Sequence, residues 1–227
     1  MDALVVLQSM ATRRLLEQVV PAYSLQTGTQ VVLRAMGGVE VARLVRSGES
    51  GDVVILAEPA LRSLAEDGLV LRDSLRCVAR AEMVAATPAG RQRPDMSSGD
   101  AVRRAIMAAD KVAFSTGPSG DHLMALCAAW GIPTDAGRFV KAPAGVPVGS
   151  LLAEGAADLG FQQRSELLGV PGVEIVGSLP PDVAATTAFL GGIAAGCRAP
   201  RAAADLLGAL ASPGLVELKR GLGLEPG

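Results

Sequence analysis

Apolar and polar positions alternate along this chain in blocks that predict strands followed by helices. Leu4–Leu7 is an apolar run that ends at Gln8-Ser9, and Leu16, Val19, Val20 and Tyr23 then recur at helical spacing. Pro21 falls inside that pattern and predicts a kink or a split. Val31–Leu33 reads as the next strand, and Gly37-Gly38 open a helical segment carrying Val41, Leu44 and Val45. Gly51-Asp52 lead into a third strand, Val53–Leu56, and Glu58-Pro59 start a helix with Leu61, Leu64 and Ala65 on one face. Such alternation predicts parallel pairing with right-handed crossovers.

The rhythm changes near Val78–Thr87, ahead of the polar stretch Pro88–Gly99, and a second βα series follows. It comprises Val112–Phe114 with a helix from His122 to Trp130, Phe139–Val140 with a helix beginning near Gly149, and Asp158–Phe161. Val173–Val176 reads as a strand leaving this region, and the remainder, including Thr186–Ala195 and Ala202–Ala211, reads as helical. These blocks predict an α/β protein of two lobes, parallel sheets flanked by helices, with a ligand cleft between the lobes. The first lobe would be discontinuous, residues 1–80 plus 182–227, and the second would span 81–181, with crossings near Val84 and Val176.

Composition narrows the classes. Hydrophobic residues make up 49% of the 227 positions and aromatic ones only 3%, so Ala, Val and Leu must build the core. A formal charge of −2 with dispersed arginines argues against a nucleic-acid surface, and no apolar run reaches membrane-spanning length. The opening MDALVVLQS enters a strand directly, without the pattern of a signal peptide, so a cytoplasmic location is expected, or a periplasmic one if the chain is a trimmed mature form. Cys77, Cys127 and Cys197 lack metal-ligand and redox spacing, in keeping with reduced thiols. No metal site, Walker loop or Gly-x-Ser-x-Gly elbow is present in the sequence, and no cofactor is implied.

Candidate chemistry gathers where strands hand over to helices. VAFSTGPSGDHLMAL, Val112–Leu126, places Ser115, Thr116, Ser119 and two glycines, Gly117 and Gly120, at such a junction. Unpaired N–H groups and the positive end of the helix dipole collect anions there, although a helix start capped by Ser119 needs no ligand. Ser9 and Met10 start the first helix in the same way, and Gly37-Gly38 suit a close backbone approach. Asp52 would repel an anion and reads as a structural group that fixes a turn or caps a neighbour.

His122, the one histidine, and Glu166 are the candidate catalytic bases, each with a simpler role as a surface or packing residue. Gln162 or Gln163 could donate an amide N–H to a carboxylate, and Arg34, Arg138 and Lys141 are candidate carboxylate partners.

Several segments together resemble the molybdate-type periplasmic binding proteins of the type II solute-binding fold: the early strand with Ser9, Thr27–Gly38, Gly48–Leu56, Ser115–Gly120, Pro147–Phe161 and Ser178–Pro180. The resemblance covers nearly the whole chain and implies a small anionic ligand, held by Ser9, Met10, Gly37, Gly38, Ser115, Thr116, Ser119, Gly120, Val148, Gly149 and Gln162. It also implies an ABC transporter permease as partner, for an exported chain only. Met36-Gly37-Gly38 stand where the oxyanion binders of that family place a hydroxyl residue, which disfavours molybdate itself; the expected ligand is a small anion, an organic di- or tricarboxylate or an oxyanion, with the carboxylate favoured. An aconitate isomerase is built on the same fold, so two functions are expected in competition. One is small-anion binding. The other is isomerisation of a small unsaturated polycarboxylate by proton transfer through His122 or Glu166.

Overall fold

A computed structural model describes residues 3–49, 51–135, 137–143 and 145–227. The chain forms two compact units, one of residues 1–81 and 188–227 and the other of residues 82–187.

Unit 1 is an α/β/α layer structure. Its strands are β1 (Leu4–Ser9), β2 (Val31–Met36) and β3 (Val53–Ala57), with helices α1 (Arg13–Thr27), α2 (Gly38–Arg46) and α3 (Glu58–Glu66) between and after them. β1 pairs in parallel with both β2 and β3, with Ser9 opposite Met36 and Gln8 opposite Ile55. The two faces of β1 part as its alternation dictates. Leu4 and Val6 pack with Leu15, Leu16 and Val19 of α1, whereas Leu7 packs with Val41 and Val45 of α2 and Leu61 of α3.

α1 is not split. Pro21 lies within it on the exposed side, while Leu16, Val19, Val20 and Tyr23 bury the opposite stripe and hold the helix together despite the missing N–H donor. Asp52 has the structural role expected of it: its Oδ2 accepts the Val5 N–H at 2.8 Å and closes the start of β1 against β3.

A long strand β4 (Arg76–Pro88) carries the chain into unit 2. There α4 (Gly99–Ala108), β5 (Val112–Phe114), α5 (Pro118–Ala129), β6 (Phe139–Lys141), α6 (Val148–Ala153), β7 (Leu159–Gln163), α7 (Arg164–Leu167) and β8 (Val173–Ser178) follow. β5 pairs in parallel with β6 and β7, so Phe114 faces both Lys141 and Phe161 in register. β4 runs antiparallel to β7 and β8. Val102 and Ile106 of α4 and Leu123 and Cys127 of α5 cover one face of these strands; Val148 and Leu152 of α6 and Leu167 of α7 cover the other.

Three expectations are corrected. The segment Thr186–Ala195 is not helical: Thr186–Ile193 forms β9, antiparallel to β3. Its run TTAFLGGI favours the extended state, and a Cβ on Gly191 would collide with Leu207 and crowd Val78, which sets how closely the layers pack. Consequently β8 is not the returning strand. It ends inside unit 2 against β4, and β9 carries the chain back. Finally, the strands are mixed rather than all parallel, because β4, β8 and β9 each make antiparallel pairs.

After β9 come α8 (Pro200–Leu210) and α9 (Val216–Gly221). α8 joins the α1 side of unit 1 through Ala203, Leu206, Leu207 and Leu210, and Tyr23 Oη donates to the Ala202 carbonyl at 3.2 Å.

Candidate functional site

In unit 2 the carboxyl ends of β5, β6 and β7 lie side by side, because the three strands are parallel and in register. Ser115 and Gln162 directly follow the paired Phe114 and Phe161. The carboxyl edge of a parallel sheet is where helix starts, and their unpaired N–H groups, face outward.

α5 begins at Pro118 rather than His122, and Gly117, not Ser119, occupies the cap position. Pro118 has no N–H to satisfy and its fixed φ suits the first helical residue, which moves the start of the helix upstream. Ser119 is therefore inside the first turn and 2% exposed, its Oγ 3.0 Å from Ser115 Oγ. Ser115 Oγ also accepts the Gly117 N–H at 3.3 Å. The Gly120 N–H is used by Gly117 O at 2.9 Å, and a Cβ on Gly120 would strike the Ser115 carbonyl, so this glycine serves close packing of the turn. At this junction Thr116 is half-buried, with a hydroxyl that makes no hydrogen bond among the described residues, and the N–H of Ser119, in the first turn, has no acceptor within the helix.

His122 is half-buried one turn further along. Its Nε2 lies 2.9 Å from the Val183 carbonyl oxygen, which can only accept, so Nε2 carries a proton and donates.

At the end of β7 the polar run Gln162-Gln163-Arg164-Ser165-Glu166 enters a densely packed region. Gln162, Gln163 and Ser165 are buried. The Val148 N–H, first in α6, donates to Gln162 Oε1 at 2.9 Å, and Gln162 Nε2 donates to Glu166 Oε2. Burial pushes the Glu166 carboxyl up to about 7, partly offset by the Gln162 hydrogen bond, which favours the charged form. Gly149, next in α6, packs its Cα side against Val170. Gln163 Nε2 donates to Thr187 Oγ1 at 2.8 Å, and Arg164 pairs with Glu82.

Unit 1 presents a parallel arrangement at the carboxyl ends of β1 and β2. Ser9 caps the short 3-10 turn Met10–Thr12, its Oγ accepting the Ala11 N–H at 3.3 Å. Gly37 caps α2, and Gly38 begins it. A Cβ on Gly38 would make only an ordinary contact with Leu56, so packing does not demand glycine there. Sequence reasoning passed over Gln8 and Thr12, both with no exposed surface: Thr12 Oγ1 lies 3.1 Å from Gln8 Oε1, and Gln8 Nε2 has no hydrogen-bond partner. The signal was the polar pair Gln8-Ser9 closing a strand that is otherwise apolar.

Two of the candidate cations are committed elsewhere. Arg34 pairs with Glu49 at 2.6 Å, and Arg138 donates to the carbonyls of Ala109 and Ile106. Lys141, at the end of β6, is exposed. Among the described residues no group of three or more His, Cys, Asp or Glu could hold a metal ion, and no helix is long and apolar enough to cross a membrane.

Two α/β units with hydroxyl-rich and glycine-rich helix starts at the carboxyl ends of parallel strands define a protein of the periplasmic-binding-protein-like class. The chain belongs to the bacterial extracellular solute-binding protein family, whose model matches residues 4–224. It is 35% identical to an aconitate isomerase from Pseudomonas sp. over 232 aligned positions, covering 98% of this chain and 87% of that protein. Among solved structures it resembles the periplasmic molybdate-binding protein of Azotobacter vinelandii, with a TM-score of 0.79 at 21% identity over 97% of this chain and 98% of that one. The sulfate-binding protein of Mycobacterium tuberculosis aligns with a TM-score of 0.78 at 14% identity, over 100% of this chain and 87% of the other. At these identities the structural likenesses establish the fold.

Proposed function

We propose that the protein binds a small organic polycarboxylate through the helix starts at the carboxyl edges of its parallel strands. The observation that carries this reading is the α5 junction of unit 2: Thr116 with an open hydroxyl, the Ser115–Ser119 hydroxyl pair and the first-turn N–H of Ser119. Several hydrogen bonds and a helix dipole stabilise a carboxylate without requiring a dedicated cation. In unit 1, Ser9, Met10, Gly37 and Gly38 lie at helix starts of the same kind. Thermal-shift titration with molybdate, sulfate, and di- and tricarboxylates tests this. Stabilisation by a polycarboxylate is expected; a response to oxyanions alone would overturn the choice of ligand.

One observation favours a second reading, isomerisation of the bound ligand. Glu166 sits near neutrality because of burial, a level suited to taking and returning a proton at physiological pH. The aconitate isomerase of Pseudomonas sp., similar along almost the whole chain, supports the same reaction class. Glu166 would remove a proton from an activated carbon and return it at the other end of the shifted double bond, while helix-start donors hold the carboxylates. His122, whose Nε2–H is held by the Val183 carbonyl, is the alternative base through its other ring nitrogen. NMR of cis- and trans-aconitate incubated with the protein decides: a bound ligand returned unchanged leaves a receptor.

A further inference from the structure

Gln162 is 4% exposed and engaged at both ends of its carboxamide. A backbone N–H can only donate, so the Val148 N–H at 2.9 Å requires the amide oxygen on its side. The amide group is planar, and fixing its oxygen fixes its nitrogen. Nε2 must then face Glu166, four residues on across the junction of β7 with α7, and only an N–H can be presented to that carboxyl group. The orientation is set by main chain rather than by another titrating side chain, so it persists whether Glu166 is charged or neutral.

We propose that Gln162 is the positioning residue of Glu166: locked by the Val148 N–H, it holds Oε2 of the carboxylate and leaves Oε1 as the oxygen that exchanges a proton. This rests on the reading of Glu166 as a proton-transfer group. It reassigns Gln162 from a ligand contact to a group that acts through its neighbour. The surroundings leave that task to Gln162. α6, β7 and β8 pack against α7. Of the nearby acids, Glu154 at the end of α6 is exposed, and Glu174 on β8 pairs with Arg93 at 3.6 Å. Arg164 of α7 itself pairs with Glu82. Burial and the Gln162 N–H are the two influences on the Glu166 carboxyl, and they act in opposite directions.

Gln162→Met keeps the length of the side chain and removes both polar ends. Titration of the Glu166 carboxyl carbon by NMR of glutamate-labelled protein, assigned by its disappearance in Glu166→Gln, should show the midpoint rising by about one to two pH units in Gln162→Met. Where turnover of aconitate is measured, the acid limb of its pH profile should rise by the same amount. An unchanged midpoint in folded Gln162→Met overturns the proposal. The wild-type protein supplies an independent check, since the side-chain N–H signals of Gln162 should shift with pH at the Glu166 midpoint; signals flat across that range overturn it equally. If no polycarboxylate is turned over while the midpoint moves as expected, the isomerase reading fails and the positioning of Glu166 by Gln162 stands.

Discussion

Nε2 of His122 lies 2.9 Å from the carbonyl oxygen of Val183, and this bond ties α5 to the turn that follows Pro180-Pro181. The ring therefore has a structural task within unit 2 that a solvent-facing histidine would lack. His122→Ala should lower stability by about 1 kcal/mol, the usual worth of a partly buried hydrogen bond, and leave turnover of a bound polycarboxylate within a few-fold of wild type. Chemical denaturation together with single-turnover NMR checks both. A folded variant that binds ligand but has lost turnover by about 10²-fold or more would return the base role to His122.

Ser119→Ala removes one partner of the Ser115–Ser119 hydroxyl pair at the start of α5. Ligand affinity should weaken by about three- to tenfold, equivalent to about 0.5–1.5 kcal/mol, and by more if the hydroxyl meets an ionised carboxylate. Calorimetric titration of the folded variant with the best-binding polycarboxylate measures it. Equal affinity would exclude the Ser119 hydroxyl from the ligand contacts.

Glu166 makes stability depend on pH in a direction opposite to that of a salt-bridged carboxylate. Its folded-state pKa, about 7, is above the ordinary value of 4.5, so the folded protein holds the proton more tightly than the unfolded chain does. Stability from this group is complete below pH 4.5 and is lost as pH rises from there through about 7, where it levels off. The loss should amount to about 3 kcal/mol, and Glu166→Gln should abolish that part of the profile. Denaturant melts of both proteins between pH 4.5 and 8 provide the comparison; parallel curves would place Glu166 at its ordinary pKa.

Gln8 buries an amide whose Nε2 has no partner, while Thr12 Oγ1 has an alternative acceptor in the Ser9 carbonyl at 3.1 Å. A buried donor left unpaired costs about 1–3 kcal/mol, and methionine fills a similar volume without it. Gln8→Met should therefore raise unfolding stability by about 1 kcal/mol. A decrease would mean that the Thr12 contact outweighs the unpaired N–H.

Strand-helix alternation in the first 70 residues was legible because each element carries its own period: Leu4, Val6 and Leu7 separate onto two faces, and Leu61, Leu64 and Ala65 mark one helical stripe. The junction Ser115–Gly120 was legible too, since glycine, proline and hydroxyl residues between a strand and a helix mark a turn and a helix start. Thr186–Ile193 differs from the helix expected there because the apolar residues Ala188, Phe189, Leu190 and Ile193 do not by their spacing exclude a helix, whereas the threonines and the pairing with β3 favour the strand. Pro118 displaced the helix start that the apolar spacing of Leu123 and Leu126 placed at His122.

By itself, then, the sequence determined the α/β class, the order of its first elements and the positions where hydroxyls and glycines meet helix starts, all of which depend on neighbours close along the chain. Tertiary structure alone decided which polar groups are already spent. Arg34 is taken by Glu49, Arg138 by two carbonyls, His122 by Val183 and Gln162 by Val148 and Glu166. It also raised the Glu166 carboxyl to about 7, because desolvation comes from distant elements folded over it and has no signature in local sequence.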